Sequence, residues 1–340
     1  MSTDATDPVA TGPATGAAGD TSVDLVVIGA GPTGLFATYY AGFRGLSVAV
    51  VDSLPELGGQ VTAMYPEKQI LDVAGFPSVK GRDLVEGLVE QAATAEPAYL
   101  LGRTAVGLAS TDDGVELSLD DGSRVRALAV LITAGIGTFS PRPLPAGDGW
   151  EGRGLDFFVP SFAPYAGKDV VVVGGGDSAL DWAIHLEPVA RSVTLVHRRA
   201  QFRAHEKSVE RLRDSSARII TDAEVTDLRG DPWLEEVDVA HEGTTETVKA
   251  QQLVAALGFI ADLGPIQQWG IETQKRHIVV DQTMATSLPR VFAAGDVTEY
   301  PGKVKLIAVG FGEAATAVNN LVPVVHPGAH IFPGHSSEGT

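Results

Sequence analysis

The chain contains no cysteine. That absence removes disulfides, thiolate metal sites, iron–sulfur ligation and every cysteine nucleophile or dithiol redox mechanism. It does not name a compartment, because a chain without thiols is compatible with any redox poise. Positive charge is scarce: 25 Lys and Arg stand against 43 Asp and Glu, a formal net charge of −18. Binding to a phosphate backbone rests on clustered cations, so nucleic acid is a poor partner for this chain. Long apolar runs are also missing, each stopping well short of the ~20 residues that a membrane helix needs. Glycine, by contrast, is plentiful at 39 of 340 residues, above the usual ~7%, as expected where backbone passes close to something else. The length predicts two to three domains at roughly 150 residues each.

Residues 1–22 are almost all Ala, Thr, Gly, Ser, Pro and Asp and are expected to be a disordered tail. With no Lys, Arg or apolar core segment, this stretch resembles neither a signal nor a transit peptide, and a cytoplasmic location is the default expectation. From Val23 the pattern predicts a strand (23–28), a helix (33–43) and a strand (46–51), a βαβ unit with parallel pairing. The same unit recurs at 169–173, 178–186 and 192–196. Between the copies lie a turn-rich segment (54–82), a helix (83–94), a hairpin turning at Asp121-Gly122 and an apolar run (127–133). After the second copy come another hairpin region, an apolar run (253–257), the stretch 290–295 and a helix near 312–320.

The first glycine motif, Gly29-Ala30-Gly31-Pro32-Thr33-Gly34, directly follows an apolar strand and opens a helix. Gly29 permits the tight turn, Gly31 lets backbone approach a pyrophosphate, and Gly34 allows close helix–strand packing. The phosphates would sit at the helix N-terminus, where free N–H groups favour anions. At the end of the next strand stands Asp52, able to accept both hydroxyls of an adenosine ribose and to repel a 2′-phosphate.

The second motif is Gly174-Gly175-Gly176-Asp177-Ser178-Ala179, and the position corresponding to Asp52 holds His197, followed by Arg198, Arg199 and Arg203. Guanidinium groups there suit a 2′-phosphate, which favours NADP over NAD; a solvated basic turn would look the same. Paired sites of these two kinds are those of a flavoprotein that takes hydride from NADPH, with FAD in the first. The expected fold is α/β with two Rossmann-like dinucleotide-binding domains. The last piece of chain carries no nucleotide motif of its own, so its return to the first domain would make that domain discontinuous. The expected boundaries are 23–142 with 286–340 for FAD and 143–285 for NADPH.

Further motifs carry a resemblance. They are Gly58-Gly59-Gln60, Asp72-Val73-Ala74-Gly75-Phe76-Pro77, Gly174 to Asp181, His197-Arg198-Arg199 with Phe202-Arg203-Ala204, Ala294-Gly295-Asp296, Gly302 to Ile307, and Gly310 to Ala314. From about Val23 onward the chain resembles the ferredoxin (or flavodoxin)–NADP reductases of the thioredoxin-reductase-like type. The resemblance implies FAD contacts at Asp52, Gln60, Tyr65, Val106, Phe139, Asp296 and Ser337 beside the first glycine motif, with Thr33 inside it. It implies that Tyr65 and His335 flank the flavin ring, while the residue reading of the second motif puts NADPH on Gly174, Gly176, Asp177, Ser178, His197, Arg198, Arg199 and Arg203. It further implies a homodimer whose C-terminal segment covers the partner's flavin. The activity implied is reversible: hydride passes from NADPH to FAD, then single electrons to ferredoxin or flavodoxin, with no side-chain acid or base required. Thioredoxin reductases carry a Cys-x-x-Cys ahead of the second glycine motif, whereas the corresponding stretch here, 157–162, has no sulfur.

Alternatives with the same two sites are an NADPH-dependent flavin reductase acting on quinones, iron chelates or another protein, and a nucleotide-binding redox sensor without turnover. Carriers of the ferredoxin type are usually acidic, so docking needs a local basic patch; Lys68, Lys80, Arg82, Lys303 and Lys305 are candidates. The N-terminus of a helix near Gly312 is expected beside the flavin's pyrimidine edge. His205 reads as a surface helix residue, and His326, His330 and His335 lack the carboxylates or cysteines that would make a metal site.

Overall fold

The computed structural model describes residues 21–332. His335 and Ser337 therefore lie outside the described residues, as does the expected tail up to residue 20. Thr21 and Ser22, assigned to that tail from sequence, instead begin the first strand, Thr21–Ile28. Six α-helices occur among the described residues: α1 (Pro32–Phe43), α2 (Gln60–Met64), α3 (Gly81–Ala93), α4 (Asp177–Leu186), α5 (Glu206–Arg213) and α6 (Ile307–Val325). The chain divides into two compact units, one of residues 1–59, 87–135 and 263–340, the other of residues 60–86 and 136–262.

The first unit is built on a seven-stranded sheet. Thr21–Ile28 lies parallel between Val48–Asp52 and Arg124–Ile132, and Val291–Ala293 adds a further parallel strand against residues 130–132. These strands are near-continuous Val, Leu, Ile and Ala because both faces of a parallel sheet are covered. α1 starts where Pro32, which needs no amide partner, follows Gly31, and it ends before Gly45, whose φ of +80° suits a helix stop. Ala37 and Ala41 of α1 and Ala314 and Ala317 of α6 are fully buried, small residues that let helices pack closely.

The second unit holds a five-stranded parallel sheet in the order Leu155–Asp156, Gln252–Ala255, Asp169–Val173, Ser192–Val196, Arg218–Ile220. A three-stranded antiparallel sheet, Ala223–Arg229, Glu236–His241 and Thr244–Lys249, accompanies it.

The grouping of residues differs from the expected boundaries in two places. Leu263, Ile266, Trp269, Ile271 and Ile278 bury in the core of the first unit, which draws residues 263–285 there. Residues 60–86 go with the second unit: Tyr65 packs on its core, and Lys68 pairs with Asp181 of α4 at 2.5 Å. The last helix also begins earlier than expected, at Ile307, so Gly312 lies inside α6 and not at its N-terminus.

Candidate functional site

In the first unit the glycine turn is shaped by close contacts. A Cβ on Gly34 would lie 1.8 Å from the Gly29 carbonyl oxygen, so only glycine lets α1 pack against the strand end. Gly29, at φ +106°, would carry a Cβ 2.5 Å from the Thr133 oxygen. Thr133 closes the turn by donating its hydroxyl to the carbonyls of Ile28 (3.1 Å) and Gly29 (2.8 Å). A Cβ on Gly31 would meet nothing within 4 Å, so this residue faces open space at the head of α1. Thr33 is wedged against Gly295 and Gly310, where a Cβ on the latter would approach its Oγ1 to 2.4 Å. Gly58 donates its N–H to the Ala30 carbonyl at 2.9 Å, and Gly59 passes so close to Gly31 that a Cβ there would lie 2.9 Å from its Cα.

Asp52 ends its strand buried, with Oδ2 accepting the Ala30 N–H at 2.6 Å and Oδ1 accepting the Leu54 N–H at 2.8 Å. Burial raises its pKa against the lowering effect of those two bonds. Each carboxylate oxygen retains an acceptor direction for a ligand hydroxyl. Asp296 lies half-buried just after the strand Val291–Ala293, next to the Gly295 turn that contacts Thr33. Burial raises its pKa, opposed by Lys303, Lys305 and His277, while Glu313 adds to the rise.

Val106 is 44% exposed at an irregularity between the strands Ala105–Ser110 and Val115–Leu119. The preceding Arg103 donates its N–H to the Asp52 carbonyl at 3.0 Å, so this part of the chain does reach the acid. Gln60, Tyr65 and Phe139 belong to the residues of the second unit: Gln60 opens α2, Tyr65 follows it, and Phe139 lies in the strand Thr138–Pro141 paired with Phe259–Asp262.

In the second unit Gly174 (φ +151°) would place a Cβ 2.4 Å from the Ala256 oxygen, and Gly176 caps α4. The ring of His197 occupies the space beside Gly175, where a Cβ would come within 2.1 Å of it. His197 stacks on Phe202 at 5.3 Å, and a bond of 3.1 Å joins its Nε2 to the Gln201 carbonyl. Burial chiefly lowers its pKa, and Arg198 and Arg199 lower it further, so the ring is neutral at pH 7.

The loop after His197 is latched to the glycine turn twice. Arg203 donates its N–H to the Gly175 carbonyl at 2.7 Å, and His205 donates its own to Asp177 Oδ1 at 2.8 Å. His205 thus sits ahead of α5 instead of within a helix. Ser178 is exposed in the first turn of α4, and Arg198, Arg199 and Arg203 are exposed in the loop after His197.

The sequence missed the cluster beneath Gly295. Glu313 and Lys303 form a buried ion pair there, joined by Tyr300. The docking role expected for the side chain of Lys303 is excluded by its burial. Lys80 and Arg82 both pair with Glu67, and the remaining candidate, Lys305, lies 2.6 Å from His277 Nε2. The motif Gly310 to Ala314 carried the signal for Glu313, but a lone glutamate in a helix does not announce a partner.

Comparison with known proteins gives consistent results. Residues 23–319 match the family model of the pyridine nucleotide-disulphide oxidoreductases. The chain is 73% identical over 322 residues to a protein of Nocardioides sp. named ferredoxin–NADP reductase, covering 94% of this chain and 98% of that one. It is 64% identical over 317 residues to a protein of the same name from Saccharopolyspora erythraea, covering 93% and 97%. Among solved structures, T. acidophilum thioredoxin reductase superposes with a TM-score of 0.77 at 26% identity, covering 88% of this chain and 97% of that one.

Proposed function

From the premise that this chain belongs to the pyridine nucleotide-disulphide oxidoreductase family, we propose that it acts as a ferredoxin–NADP reductase, an FAD-dependent enzyme that exchanges electrons between NADPH and a ferredoxin-type carrier. The observation that carries this reading is the contrast between the two glycine turns. One is followed by the buried acid Asp52, the other by a neutral His197 and exposed arginines. The names of relatives at 73% and 64% identity support the same reading.

FAD, when bound, supplies the chemistry that links a hydride donor to a one-electron carrier. The chain's part is to bind and orient. The free N–H groups at the head of α1, opened by Gly29, Gly31 and Gly34 with Thr33 behind them, receive a pyrophosphate. Asp52 accepts ribose hydroxyls, and Asp296 accepts from the ribityl chain. At the second turn, Gly174 and Gly176 clear the backbone approach beside Asp177 and Ser178. Arg198, Arg199 and Arg203 hold the 2′-phosphate, and a neutral His197 offers no negative charge against it.

A homodimer is part of this reading. Its support is an aromatic row on α1, in which Phe36 stacks on Tyr40 and Tyr40 on Phe43, leaving Phe43 54% exposed. We place the enzyme in the cytoplasm, where NADPH is available, and count flavodoxin as a second carrier.

The test is a two-stage assay. NADPH must bleach the bound flavin faster than NADH does, and a ferredoxin must then stimulate cytochrome c reduction. Bleaching without stimulation by any ferredoxin or flavodoxin would point to a flavin reductase, and no bleaching to a sensor.

A further inference from the structure

We propose that Lys303 and Glu313 are positioning residues, a buried ion pair that grips the Gly295 peptide from both sides and thereby aims Asp296. The proposal rests on the reading of Asp296 as an acceptor for the ribityl chain of FAD.

The two side chains are 4% and 5% exposed and bond directly to each other. Glu313 Oε2 accepts the Gly295 N–H at 2.7 Å, and Lys303 Nζ donates to the Gly295 carbonyl at 2.9 Å. Thr298 Oγ1 donates to that same carbonyl at 2.8 Å, and the Tyr300 hydroxyl donates to Glu313 Oε1 at 2.5 Å. Both polar groups of one glycine are therefore held by opposite ends of one ion pair. On the remaining side Thr33 stands where a Gly295 Cβ would come within 3.0 Å of its Oγ1. Gly295 itself is at φ +84°, a conformation that glycine adopts freely.

A charge pair withdrawn from water contributes little stability compared with apolar residues of the same volume. What this pair supplies is geometry. The Asp296 carboxylate takes no hydrogen bond from any described residue, so the peptide before it, and not a side-chain partner, sets where it starts from. Lys303 and Lys305 favour the ionised form of Asp296 against the effect of its burial.

The experiment measures FAD affinity of the apoprotein by quenching of flavin fluorescence. Asp296→Ala is introduced into the parent, into Lys303→Met and into Glu313→Leu, the last removing the acceptor for the Gly295 N–H and keeping the test open should Lys303→Met fail to fold. In the parent, Asp296→Ala is expected to weaken FAD binding about tenfold or more, as for loss of a hydrogen bond to a charged group. In either altered background the same substitution should cost less than about threefold, because the aspartate is no longer aimed. An equal factor in all three backgrounds overturns the proposal, since general destabilisation would leave the factor unchanged. No effect of Asp296→Ala in the parent defeats the ribityl reading instead, and the aiming role with it.

Discussion

The two acids of the first site carry raised pKa values for the same reason: burial raises both Asp52 and Asp296 above the ordinary 3.8. In each case the folded state binds protons more readily than the unfolded one, so stability from these groups is present at low pH and lost as pH rises through their folded pKa. Ligand binding runs the other way, because a hydroxyl donates best to the ionised carboxylate. FAD affinity of the apoprotein should therefore rise with pH from the acid side, and Asp296→Asn should flatten part of that rise; a titration at several pH values checks it. The arginines give a second prediction. Removing one charge-assisted contact of about 1.5–3 kcal/mol should raise the KM for NADPH roughly 10- to 100-fold in Arg198→Ala. The kcat/KM with NADH should change less than about twofold, since NADH lacks the 2′-phosphate; steady-state kinetics with both nucleotides decides it.

At the scale of the element, the glycine turn separates binding from folding. Gly31 has a negative φ of −71° and open space in front of it. Gly31→Ala should leave the apoprotein Tm unchanged or slightly raised, as Gly→Ala does at compatible positions by ~0.4–1 kcal/mol, while FAD affinity falls. Gly34→Ala drives a methyl into the Gly29 carbonyl and should lower Tm outright, by several degrees in differential scanning calorimetry. These turns were legible in the sequence because strand, glycines and helix are consecutive, and Asp52 lies at a fixed distance along the same unit. The pair under Gly295 was not, because Lys303 and Glu313 meet only once α6 has folded back beside the turn. The placement of Tyr65 was hidden for a similar reason: it packs on a core formed by residues far along the chain. The strand Thr21–Ile28 ran two residues past its expected start because Thr21 and Ser22 pair with Val125 and Arg126, a contact that polar residues make as readily as apolar ones.

For the whole molecule, the charge of −18 sets the response to salt. Binding of NADPH to exposed arginines should weaken as ionic strength rises, whereas association with an acidic carrier should quicken as long-range repulsion is screened over ~10 Å at 0.1 M. Opposite salt slopes for the two half-reactions in stopped-flow are the expected outcome. The aromatic row on α1 predicts in turn that Phe43→Glu shifts the protein towards monomer in light scattering. The strand Val291–Ala293, paired with residues 130–132, has a consequence for how the protein is made. A ribosome releases the N-terminal end first, so the glycine turn at 29–34 emerges long before the strand Val291–Ala293 and Asp296. Until residues 291–293 emerge the first sheet lacks that strand, while residues 60–86 and 136–262, already made, can condense. On the proposed role of Asp296, cofactor capture waits for the synthesis of residues 291–296.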